Sequence, residues 1–151
     1  MLARRMKDLH AILGIATLAV NVVAAVWGGV AWIRQDPSVS FWYVLRTAQL
    51  AVVVEVVLGL VRLASGAQPP DKLHYVYGVA PLVIAVVTEA MRAGAAAREV
   101  EALEGDAEAL PHREKVLLAR RVVVREIGIM TVGVILVVTL LLRAAQSGGG
   151  L

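Results

Sequence analysis

Four long apolar runs, separated by short polar or charged segments, set the pattern of this chain. Positions 11–33 carry no charge and are long enough to cross about 30 Å of hydrocarbon as a helix. The second run, 41–63, opens on Trp42 and Tyr43, an aromatic pair suited to a membrane–water boundary, and has Arg46 and Arg62 near its ends. The third covers 73–91. The fourth, 127–142, is uncharged and bounded by Glu126 and Arg143. Its helix is expected to begin earlier, just after Pro111, as a charged extension in water. Arg4, Arg5 and Lys7 ahead of the first run also fit the head of a signal peptide. That run is longer than a signal core, however, and ends in Trp27, Trp32 and Arg34, not at a small-residue cleavage site. The pattern therefore predicts a single membrane domain over 1–151, with spans at 10–33, 41–63, 73–91 and 122–143.

The connections set the topology. Asp36-Pro37 marks a turn between the first two runs, and Gly66 with Pro69-Pro70 marks a stiff turn between the second and third. Short turns make antiparallel neighbours, so the first and second spans form one hairpin and the third and fourth another. The segment 92–121 is long and charged, with Arg98, Glu99, Glu101, Glu104, Asp106 and Glu108 followed by Arg113, Glu114 and Lys115. It reads as alanine-rich helix with solvated charges, with a partner-binding role as the alternative. The expected fold is all-α: an integral membrane antiparallel four-helix bundle built from two helical hairpins in parallel repeat.

Composition agrees and narrows the chemistry. Of 151 residues, 59% are apolar, and the mean hydropathy is +0.75, above a typical water-soluble domain. The absence of Cys excludes disulfides, thiolate metal sites, thiol nucleophiles and covalent heme attachment. The net charge of +3 is modest, and the basic residues gather at span ends, as orientation signals and headgroup partners; no nucleic-acid motif is present. Basic residues are denser on the side holding the 34–40 and 92–121 connections, which places that side in the cytoplasm and both termini outside. The implied location is the cell membrane, multi-pass. No hydrolase triad or phosphate loop is found, so no independent enzymatic activity is expected.

Candidate chemistry begins with an internal repeat. Leu9-His10-Ala11-Ile12-Leu13-Gly14-Ile15-Ala16-Thr17-Leu18 opens the first run, and Leu73-His74-Tyr75-Val76-Tyr77-Gly78-Val79-Ala80-Pro81-Leu82 opens the third. Leu, His, Gly, Ala and Leu recur in register. Two helices separate the copies, so His10 and His74 lie at matching depth on parallel helices and face one interior point. A residue four positions on shares the face of each imidazole. Gly14 and Gly78 remove the side chain there, leaving room for a flat macrocycle. Two imidazoles so placed suit the axial positions of a heme iron. Zinc suits them less, because no further Asp, Glu or Cys stands near. The competing reading is two interfacial histidines and ordinary glycine packing, in an accessory or scaffold subunit without cofactor.

Other polar groups in the runs are few. Glu55 sits inside the second run, where its carboxyl is expected neutral and hydrogen-bonded to a neighbouring helix, with Asn21 or Thr17 as candidates; proton chemistry is the alternative. Tyr75 and Tyr77 read as an interfacial belt, and Pro81 as a kink.

The stretch Gln49-Leu50-Ala51 with Leu58-Gly59, Leu73-His74 with Ala80, and His10 with Leu13-Gly14 resembles one four-helix half of the heme A synthase family and related heme b-binding membrane bundles. The likeness extends over residues 7–90. It implies a bis-His heme b between His10 and His74 near the outer face, serving electron transfer or heme handling. The synthases have two such halves, an acidic residue one turn before a ligand His where this chain has Lys7, and a cysteine pair; synthase activity is therefore not implied. Expected partners are the lipid bilayer, a membrane redox partner or larger complex, or a second copy of the chain, with no nucleic acid.

Overall fold

Each predicted apolar run forms a helix, the third with Pro81 inside it. The computed structural model describes residues 2–68, 71–103 and 107–147. They form α1 (Leu2–Ile33), α2 (Val39–Ala64), α3 (Leu73–Ala93), α4 (Ala95–Glu101), a 3-10 turn (Ala107–Ala109) and α5 (His112–Ser147). No strand occurs among the described residues. Four of these helices are long and apolar enough to cross a membrane. The turn residues Pro69 and Pro70, the loop residues Glu104 and Asp106, and the tail beyond Ser147 lie outside the described residues.

The helix ends follow from local chemistry. At the end of α1, Asp36 N–H bonds to Ala31 O at 2.9 Å and Gln35 N–H to Trp32 O at 3.1 Å. At the end of α2, Ala67 N–H bonds to Arg62 O at 3.1 Å and Gly66 N–H to Leu63 O at 3.0 Å. Both are Schellman closures, which need a left-handed residue. Gly66 supplies it at φ 86° and Gln35, against steric preference, at φ 53°. Ser38 caps α2 by accepting from Phe41 N–H, and its hydroxyl also accepts from Trp27 Nε1 at 3.2 Å. α5 begins directly after Pro111, whose carbonyl takes the Glu114 and Lys115 N–H groups. The connecting segment holds less helix than its alanine content suggests: α3 and α4 meet at Gly94, and α4 is only 7 residues long.

α5 packs along both α1 and α3, and α1 along α2, whereas α2 and α3 touch far less. The densest core joins Ala24 and Ala31 of α1, Phe41, Leu45 and Ala48 of α2, and Ile127, Met130 and Val134 of α5. Glycines bring α5 close to its neighbours. A methyl on Gly128 would press into the Trp32 indole at 2.7 Å, one on Gly28 would press into Phe41 at 2.6 Å and into Thr131, and one on Gly133 would press into Thr88. Small residues at such crossings gain van der Waals contact across the whole seam. Between α1 and α2, Gly28 lies beside Phe41, Asn21 reaches Ala48 O at 3.5 Å, and Thr17 reaches Ala51 O at 3.4 Å. Partner numbers rise on α2 as they fall on α1. The outer faces carry large apolar side chains, among them Ile12, Ile15, Val26, Ile33, Val57 and Ile135.

Candidate functional site

The register that sets Asn21 beside Ala48 also sets Gly14 beside Glu55. Because Gly14 has no side chain, the Glu55 carboxylate settles over it; a methyl there would stand 3.2 Å from Oε1. One turn earlier on α1 is His10, and its Nδ1 lies 2.8 Å from Glu55 Oε1. Both side chains are mostly enclosed, at 17% and 14% exposure. The approach is close but not aligned as a hydrogen bond, and Glu55 Oε2 is buried with no partner. Glu55 thus pairs with His10 and not with Asn21 or Thr17, the partners expected from the sequence. Asn21 Nδ2 instead donates to Thr17 O at 2.8 Å.

His74, at the start of α3, comes to the same place. Its ring centre is 6.2 Å from that of His10, with the planes 80° apart. Its Nδ1 lies 2.9 Å from Ala144 O on α5 and 3.5 Å from Ser147 Oγ. Four helices therefore build the cluster: α1 and α3 bring the rings, α2 brings the Glu55 carboxyl beside the first, and α5 brings the Ala144 carbonyl to Nδ1 of the second. The Nε2 atoms stand outside these contacts. The space beside Gly78 is open, with no atom within 4 Å of an added methyl, whereas the space beside Gly14 holds the Glu55 carboxylate. A methyl added at Gly59 would stand 3.8 Å from Cε1 of His10. Among the described residues, no group of three or more His, Cys, Asp or Glu side chains is arranged to hold a metal ion.

A second polar cluster, not anticipated from the sequence, lies toward the other end of the helices. Glu89 of α3 bonds Arg46 of α2, accepts from Gln49 Nε2 at 2.9 Å, and accepts from Arg92 Nε at 2.8 Å. Arg92 also reaches Glu126 of α5 at 3.5 Å and stacks 5.6 Å above the Trp42 ring. These charges balance one another and bridge the sparse α2–α3 seam. Their signal was the i,i+3 spacing of Arg46 with Gln49 and of Glu89 with Arg92, which puts each pair on one helix face. Comparison of the chain with protein-family models, characterised proteins and solved structures finds no match.

Proposed function

We propose that the chain is a multi-pass membrane protein, an antiparallel four-helix bundle of two hairpins, that holds heme b between His10 and His74. Its outer apolar surface is far larger than a monomer in water exposes, and lipid is the solvent that removes the cost. The single observation that carries the heme reading is the pairing of the two imidazoles. The two rings would hold the group between them, as a pair of neutral imidazoles from facing helices. The observed separation is 6.2 Å.

The residues present fit the group in three further ways. His74 Nδ1 faces the Ala144 carbonyl at 2.9 Å, and metal-bound imidazoles are oriented by such acceptors; His10 Nδ1 lies near the Glu55 carboxyl without a hydrogen bond to it. The open flank of Gly78 offers space beside one ring. The buried Glu55 Oε2 lacks a partner, an orphan that an unfilled polar site explains. When bound, the iron accepts and gives up one electron; the chain holds it by two ligands and excludes water with the surrounding helices. Electron transfer or heme handling is the function that follows, with a membrane redox partner.

The test is spectroscopic. Protein made with ample heme and purified undenatured should show, on reduction, the sharp bands of a six-coordinate low-spin heme. His10→Ala and His74→Ala should each abolish them. Colourless folded protein would instead establish an accessory or scaffold subunit.

A further inference from the structure

We propose that the outward face of α1 holds one anionic phospholipid, with an acyl chain in a valine-lined groove and the phosphate on Arg34. The proposal rests on the membrane part of the reading above and is independent of heme.

Helical spacing makes the groove. Val22, Val26, Val30 and Arg34 stand four residues apart and form one ridge along α1, and Val23 and Trp27 form the next. Between the ridges lies an apolar groove of about 380 Å³, lined by the four valines and Trp27. It faces away from the bundle, because the buried stripe of α1 runs through Thr17, Asn21, Ala24, Gly28 and Ala31 on the opposite side. The Trp27 indole is tethered as a wall of the groove. Its Nε1 donates to Ser38 Oγ at 3.2 Å, across the turn that joins α1 to α2. With its one polar atom satisfied there, the ring offers apolar surface to a hydrocarbon chain.

Length and charge select the occupant. From Val22 to Arg34 the ridge rises about 18 Å, close to the roughly 15 Å of hydrocarbon in one leaflet, half of a bilayer's. An acyl chain that starts at the level of Arg34 therefore follows the groove to the bilayer midplane. Arg34 is exposed and makes no ion pair among the described residues. Arg120 reaches the same turn and donates to Gln35 O at 3.0 Å. Asp36 is the one acid in that turn, so two guanidiniums stand against one carboxylate and the rim stays positive. Positive charge at the headgroup level attracts anionic lipid. A second copy of the chain fits this face less well, because two-fold packing through it would set the two Arg34 side chains against each other at one depth.

The test is lipid retention by the full chain. Wild type is reconstituted in vesicles of phosphatidylglycerol and phosphatidylcholine with identical acyl chains, extracted in mild detergent and weighed with its bound lipid by native mass spectrometry. One phosphatidylglycerol per chain should stay bound, about fivefold over phosphatidylcholine, the preference that one basic residue gives at a charged surface. Arg34→Gln should remove the preference, while Lys72→Gln, at the opposite end of the bundle, should leave it. Val26→Trp fills the groove and should reduce retention of both lipids. All three side chains are exposed, and helical circular dichroism checks that each variant is folded. Equal retention of the two lipids by wild type, an unchanged preference in Arg34→Gln, or retention indifferent to Val26→Trp would overturn the site and leave the membrane reading intact. A wild-type dimer that Val26→Trp splits would give the face to a second copy and overturn the lipid site. Recovery of the chain in the aqueous fraction of lysed cells would overturn the membrane reading and the site together.

Discussion

Gln35 and Gly66 do the same work at the ends of α1 and α2, but only one is suited to it. A left-handed backbone costs a residue with a Cβ about 1 kcal/mol or more relative to glycine. Gln35 recovers part of this through its own Nε2 bond to Trp32 O at 2.8 Å, and its carbonyl accepts from Arg120. Gln35→Gly should therefore raise the melting temperature in detergent by a few degrees, whereas Gly66→Ala should lower it, each by about 1 kcal/mol. The same turn explains what was hard to read in the sequence. Glu55 stood out as an acid inside an apolar run, and His10 as half of a repeat. Their meeting depends on the register that the Gln35 closure imposes and on the room Gly14 leaves. Neither follows from residue spacing along a single helix.

The helices themselves were plain in the sequence, because a run of about 20 apolar residues has few other uses. Their contact faces were not. Gly28, Gly128 and Gly133 lie in stretches that are apolar all round, where no periodicity separates an inner from an outer face. Gly133→Leu should force α3 and α5 apart at Thr88 and cost about 1–3 kcal/mol, measured as lowered thermal stability with the helical circular dichroism retained at low temperature. Gly29→Leu, with open space beside it, should be nearly neutral. The α2–α3 seam depends on charge instead. Glu89→Ala removes the acceptor of three side chains on α2 and α3 and should cost about 1–3 kcal/mol. Glu99→Ala breaks a single pair with Arg125 and should cost well under 1 kcal/mol.

For the whole molecule, the length of α5 matters. Its 36 residues extend about 54 Å, well beyond the roughly 30 Å of a bilayer's hydrocarbon, and the excess is the largely exposed charged stretch from His112 to Arg125, whose Arg125 pairs with Glu99 of α4. Basic residues there, with Arg34 and Arg92, should hold that end in the cytoplasm. The chain has no cysteine, so single introduced thiols report sidedness cleanly. An impermeant maleimide on intact cells should label Ser147→Cys and spare Glu101→Cys; the opposite pattern would invert the protein and carry both histidines to the inner side. The packing of α5 also dictates an order of assembly. Helices enter a membrane in sequence and then find their neighbours. His10 and Glu55 can meet as soon as the first hairpin is in place. His74 waits for an acceptor 70 residues further on, delivered by the helix that also fills the seams of α1 and α3. A chain stopped after α3 would thus keep His10 beside Glu55 and leave His74 without the Ala144 carbonyl.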